Sequence, residues 1–176
     1  MNNAAERLFL ALWPEGALQR RMAALPETLL APRGGGRRTL SANLHMTLAF
    51  LGAVDAATRA RLEGLIDTVG GEGFELVFDR LGCFRRRGLL WVGASVPPAP
   101  LLALVADLKA AEVACGLTPD ARDYRAHVTL ARNLRRCPPP MGIEPIVWPV
   151  RQFVLVRSDL GGANARYEVA RTWALG

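Results

Sequence analysis

The sequence predicts an α+β fold in which two pseudo-symmetric lobes of antiparallel β-sheet, with outer helices, surround a central cleft. Three observations predict it. The pattern His-x-Thr-Leu-Ala occurs twice, as His45-Met46-Thr47-Leu48-Ala49 and as His127-Val128-Thr129-Leu130-Ala131. Leu8 precedes His45 by the same 37 residues that separate Leu90 from His127. Phe74-Glu75-Leu76-Val77, followed by Leu81-Gly82, is echoed by Phe153-Val154-Leu155-Val156, followed by Leu160-Gly161. Two copies of one strand–helix–strand–strand unit, related by an approximate two-fold axis, would bring the two histidine strands face to face. The whole chain, 1–176, is expected to form one bilobal domain, and its length and apolar content suffice for a real core.

Taken in order, Arg7 to Trp13 reads as a buried strand, and Pro14 suits the first turn of a helix running towards Leu30, broken or kinked at Pro26. Residues 32 to 38 hold three glycines and three arginines in a basic loop. They lack the Gly-Lys-Ser/Thr ending of a nucleotide P-loop, and fit a lid, an RNA-contacting loop or a plain linker equally. After the first histidine strand, Asp55 can cap a helix whose stripe is Leu62, Leu65, Ile66 and Val69, with Gly70-Gly71 as its stop. Phe74 to Leu81 alternates as a strand, and a turn at Arg85-Arg86-Arg87-Gly88 leads to another at Leu89 to Val92. Pro97, Pro98 and Pro100 open a helix with the stripe Leu101, Leu104, Val105, Leu108 and Ala111, which Gly116 ends. The second histidine strand follows. Beyond the Pro138-Pro139-Pro140 loop come strands around Ile146 to Arg157 and Arg166 to Trp173, joined by a turn containing Gly161, Gly162 and Asn164.

Composition narrows the class. The formal charge is +6, and Lys109 is the only lysine, so nearly all the positive charge is arginine. Codon drift explains arginine over lysine but not the net positive balance. The arginines cluster at Arg37-Arg38, Arg85 to Arg87 and Arg132 to Arg136, where loops belong, which favours a polyanionic substrate. The apolar run from Leu8 to Trp13 is too short for a signal peptide or a membrane span, so no membrane association is expected. Cys83, Cys115 and Cys137 lie far apart with no CxxC spacing, and read as reduced thiols of a cytoplasmic protein.

His45 and His127 are the only histidines. On a strand each shares a face with the threonine two places on, while Met46 and Leu48, or Val128 and Leu130, face the core. A lone strand histidine is usually a packing residue; a pair with matched threonines is not. Two opposed imidazoles suit concerted acid–base attack on a phosphodiester, one deprotonating water and the other protonating the departing oxygen. Thr47 and Thr129 would donate to the non-bridging oxygens, and Arg132 would add charge. No Asp, Glu or Cys sits at ligand spacing from either motif, and no GxSxG elbow is present, so neither a metal nor another cofactor is expected.

With these residues in place, the chain resembles the 2H phosphoesterase superfamily, and within it the RNA 2′,3′-cyclic phosphodiesterases also called 2′-5′ RNA ligases. The likeness spans nearly the whole chain, from Arg7-Leu8-Phe9-Leu10-Ala11-Leu12 through both histidine motifs and Leu89-Leu90-Trp91-Val92-Gly93 to the Phe153–Leu160 strand. It implies hydrolysis of a terminal 2′,3′-cyclic phosphate on RNA, tRNA fragments among them, to a 2′-phosphate, with reverse joining of 2′,5′ ends. It also implies His45 as proton donor, His127 as proton acceptor, and Thr47 and Thr129 as phosphate ligands; the residues alone are too symmetric to divide the two roles. Phe9 suits either base stacking or core packing. Where the family often has Pro before the second histidine, this chain has Ala126. A relative acting on ADP-ribose 1″,2″-cyclic phosphate or 2′,5′-oligoadenylate, and a non-catalytic RNA-end-binding module, are the rival readings. A monomer without an obligate protein partner is the simplest assembly.

Overall fold

The computed structural model describes residues 5–29, 35–159, 161 and 165–176. The expected helix end at Leu30, the first part of the basic loop, and Gly162 and Asn164 of the last turn lie outside them.

Alternation builds the first strand, β1 (Glu6–Leu12), but from Leu8 onward both of its faces are buried. Leu8, Leu10 and Leu12 enter the main core, while Phe9 and Ala11 join Val154 and Val156 in a second apolar cluster on the opposite face. Helix α1 (Gly16–Leu29) follows with Pro26 inside it, and β2 (Arg37–Arg38) is a two-residue strand where only a loop was expected. The histidine strand β3 (Met46–Val54) leads to α2 (Ala56–Ile66). Asp55 caps α2 as predicted, accepting from the Thr58 amide at 2.8 Å. The helix stops at Ile66, so Val69 packs on the core from beyond its end.

Next come β4 (Phe74–Phe84), β5 (Leu89–Gly93) and α3 (Ala99–Ala114), whose five predicted stripe residues are all buried. The second histidine strand is β6 (His127–Arg132), followed by β7 (Met141–Val150), β8 (Gln152–Asp159) and β9 (Arg166–Ala174).

Two antiparallel sheets result, ordered β3-β1-β8-β9 and β2-β6-β5-β4-β7. The duplication is visible in them, with one refinement. Strand β8, from the second copy, pairs with β1 of the first, whereas β4, from the first copy, pairs with β5 of the second. Helix α1 likewise approaches β6, and α3 approaches β3. Each lobe is thus assembled from both copies, and one buried apolar cluster draws on both sheets.

The cysteine reading is corrected. Cys83, near the end of β4, and Cys137, in the loop after β6, form a disulfide across 54 residues of sequence; only Cys115 is free, and it is buried. Sequence spacing does not reveal such a pair because pairing of β4, β5 and β6 in one sheet is what brings the two ends together. No helix among the described residues is long and apolar enough to cross a membrane.

Candidate active site

Both histidine motifs break strict strand alternation at the same place. Pairing of β1 with β3 slips between Leu10 and Ala11, which oppose Ala49 and Thr47. Pairing of β5 with β6 slips between Leu90 and Trp91, which oppose Ala131 and Thr129. Leu48 and Leu130 are therefore the extra residues of matching β-bulges, a device that kinks a strand and re-aims its side chains. The bulge accounts for the shared Leu-Ala. Two consecutive residues turn inward, and both are buried in each copy. His45 and Thr47, like His127 and Thr129, stay half-buried.

The imidazoles are held by one device. His45 Nδ1 lies 2.7 Å from the Asn43 carbonyl oxygen, and His127 Nδ1 lies 2.7 Å from that of Arg125. A carbonyl only accepts, so each Nδ1 carries a hydrogen and each Nε2 is left to take or give a proton. Asn43 also donates through Nδ2 to the Ala165 carbonyl at 2.9 Å, tying the start of β9 to the His45 loop.

His45, Thr129 and Arg132 line one cleft, together with Thr39, Asn43 and Tyr167. The fold thus brings the first motif's imidazole to the second motif's hydroxyl. The short strand β2 completes the wall with Arg37 and Arg38, held against β6 opposite Arg132 and Ala131. Thr39 Oγ1 is buried there with no hydrogen-bond partner among the described residues.

Burial pushes the His45 pKa down from its ordinary 6.5 to about 4; the hydrogen bond to Asn43 opposes this, and the nearby charges of Arg132 and His127 add to it. The His127 pKa is also lowered, first by burial and then by Arg125, Arg132 and Arg122, against its own backbone hydrogen bond. Both rings are therefore neutral at pH 7 in the free protein, in a cleft whose fixed charge favours an anion.

Aromatic rings wall each histidine. Trp13 stacks on His45 with centroids 5.3 Å apart and planes within 7°, and Tyr167 stands edge-on to it at 5.2 Å. Phe9 lies 4.9 Å from the His45 ring but is only 5% exposed, so it serves as a packed wall rather than a free platform for a base. Around His127 the rings are Phe84 at 5.1 Å and Trp91 at 6.3 Å. Trp13, Tyr167, Thr39 and Asn43 are site residues the sequence reading missed. Trp13 alone left a trace there, as the aromatic that ends the first strand, two residues on from Ala11. Among the described residues, no group of three His, Cys, Asp or Glu side chains is placed to share a metal ion.

The model of the 2′-5′ RNA ligase superfamily matches residues 14–162. The chain belongs to that superfamily. The RNA 2′,3′-cyclic phosphodiesterase of Escherichia coli K12 is 30% identical over 172 residues, which cover 97% of each chain. The enzyme of that name from Archaeoglobus fulgidus is 27% identical over 135 residues, 75% of each chain. Among solved structures, E. coli LigT in apo form superposes with a TM-score of 0.88 at 28% identity over 98% of both chains. LigT complexed with 3′-AMP superposes at 0.83 with 29% identity, also over 98% of both. The resemblance to 2H phosphoesterases read from the two motifs is thereby borne out.

Proposed function

We propose that this phosphodiesterase opens a 2′,3′-cyclic phosphate at the 3′ end of an RNA chain, leaving a 2′-phosphate, by two-histidine acid–base catalysis without a metal ion. The observation that carries the reading is the single cleft shared by His45, Thr129 and Arg132, with a basic wall behind it. The cyclic phosphate sits between the two His-x-Thr faces. His127 Nε2 takes a proton from water as the water oxygen bonds to phosphorus. The bond from phosphorus to the 3′ oxygen breaks, and that oxygen takes the proton from His45 Nε2. Thr47 and Thr129 donate to the non-bridging oxygens and Arg132 balances their charge. One proton enters at His127 and one leaves at His45, and exchange with solvent resets the pair.

The donor must arrive protonated. With its pKa near 4, His45 is neutral before substrate binds. An anionic phosphate beside the ring raises that value, and the stacked Trp13 face favours the imidazolium through a cation–π contact. Substrate binding is therefore coupled to proton uptake. The same steps with a 5′-hydroxyl in place of water, its proton taken by His127, join the cyclic end to that hydroxyl as a 2′,5′ linkage while the 3′ oxygen leaves with the proton from His45. The bilobal chain acts as one unit and as a monomer, on substrates such as tRNA fragments in the cytoplasm.

The test is incubation with an oligoribonucleotide ending in a 2′,3′-cyclic phosphate, followed by location of the product phosphate. A 2′-phosphate with a free 3′-hydroxyl is expected, with chelator present or absent. A 3′-phosphate product would reverse the leaving group and overturn the assignment.

A further inference from the structure

Three stretches of arginine, far apart in sequence, meet around one side chain. Leu134 is buried directly after the second histidine strand. Its amide donates to the Gly88 carbonyl at 3.0 Å, and a Cβ at Gly88 would stand 2.6 Å from the Leu134 carbonyl oxygen. On its other side, a Cβ at Gly36 would stand 2.9 Å from the Arg132 carbonyl oxygen and 3.0 Å from a Leu134 methyl. Both glycines have positive φ, +56° and +103°, so neither site tolerates a side chain. Gly36 precedes Arg37-Arg38, Gly88 closes the turn of Arg85 to Arg87, and Leu134 sits between Arg132 and Arg135-Arg136. The Cys83–Cys137 disulfide fastens the outer end of the same assembly.

The cations so gathered are exposed and largely unneutralised. Arg38 is paired with Glu27 at 3.0 Å. Arg85, Arg86, Arg87, Arg132, Arg135 and Arg136 have no carboxylate partner among the described residues. Elsewhere some arginines are neutralised. Arg59 bridges Glu6 and Glu63, Arg171 bridges Glu63 and Asp67, and Arg157 bridges Glu6 and Glu168. Unpaired guanidiniums crowded on one surface repel one another and cost stability, so their retention points to an anion that arrives from outside.

A cyclic phosphate occurs only at the 3′ end of an RNA strand, so every other phosphate of the substrate must leave the cleft by one route. We propose that this route is the arginine surface built on Leu134, which grips the backbone of the nucleotides preceding the cyclic end, so that the preferred substrate is an RNA strand rather than a mononucleotide. The proposal rests on the cyclic phosphodiesterase reading and adds a length requirement to it. Arg132 is the junction, lining the cleft on one side and leading into the surface on the other.

The experiment compares a nucleoside 2′,3′-cyclic phosphate with a roughly ten-nucleotide RNA ending in the same cyclic nucleotide, using the full chain and the triple variant Arg85→Gln/Arg86→Gln/Arg87→Gln. For the unaltered protein, KM for the oligomer is expected at least about tenfold below that for the mononucleotide, an advantage eroded by salt as counterions compete. The triple variant should lose most of that advantage, with mononucleotide KM moving less than about twofold, and each lost phosphate contact should lower the salt slope by about 0.7. An unchanged oligomer-to-mononucleotide ratio in the variant would overturn the proposal, as would equal losses on both substrates. Fluorescence anisotropy with a 3′-phosphorylated oligomer provides a second readout that needs no turnover. If neither cyclic substrate is cleaved but anisotropy still shows length-dependent binding that the variant loses, the catalytic reading fails and the RNA surface stands. If binding is independent of length, the surface fails.

Discussion

The two histidine strands share a backbone and differ in their surroundings. Each has the same bulge, the same inward Leu-Ala and the same 2.7 Å contact from Nδ1 to the carbonyl two residues back. Around them, the first lobe packs three rings against His45 and pairs Arg59, Arg157 and Arg171 with carboxylates. The second lobe sets two rings against His127, and its Arg85, Arg86, Arg87, Arg132, Arg135 and Arg136 have no carboxylate partner among the described residues. Duplication supplies a matched pair of imidazoles, and divergence of the shell gives each a different environment.

Removing either member of the matched pair should have the largest effect. His45→Ala and His127→Ala are each expected to lower kcat on a cyclic-phosphate-ended oligomer by about 10²–10⁴-fold, and the double variant by little more, because the two act as one unit. Near-normal turnover by either single variant would remove the acid–base assignment.

The next test perturbs one shell and spares the other. Trp91 lies over Gly82, and a Cβ there would fall inside its indole ring. Gly82→Ala should cost about 1–3 kcal/mol in denaturant unfolding through overpacking, and should shift the NMR signals of His127 while those of His45 stay in place. Movement of both histidines together would mean that the shells are not independent.

Titration sharpens the contrast further. In the free protein His45 should titrate near 4 by NMR, and saturating inorganic phosphate should raise that value by about one unit or more. Because the folded value lies below the ordinary 6.5, the unfolded chain binds more protons between the two. His45 therefore contributes stability above pH 6.5 that is lost as pH falls towards 4. His45→Gln should flatten the unfolding free energy across that window, and an unchanged slope would contradict it.

The smallest expected effect is that of the stacked indole. Trp13→Leu should reduce kcat roughly three- to tenfold, the order of a partly desolvated cation–π contact, and lower the phosphate-bound pKa of His45. A loss confined to KM would instead mark Trp13 as a substrate contact.

Much of this was legible before any coordinates. Strand, helix and turn positions followed from local pattern, including the Asp55 cap and the buried stripe of α3, since such features depend on residues a few places apart. The paired motifs pointed to the chemistry because imidazole and hydroxyl at alternate strand positions must share a face. The misread features all depend on long-range contact. Cys83 and Cys137 looked unrelated until sheet pairing joined their ends. Phe9 suited base stacking or core packing equally until its burial against His45 and Tyr167 favoured packing. Trp13, just past β1, and Tyr167, in β9, are far from His45 in sequence, and no spacing rule links them to it.

The sequence by itself determined that this chain carries two equivalent His-x-Thr strands in a duplicated frame, because period-two alternation and the repeat interval are local properties of the chain. Only the tertiary structure decided that the copies exchange strands, that one cleft holds groups from both motifs, and that three arginine stretches converge on Leu134. Those outcomes depend on which surfaces bury one another, and that is settled by the packing of the whole chain.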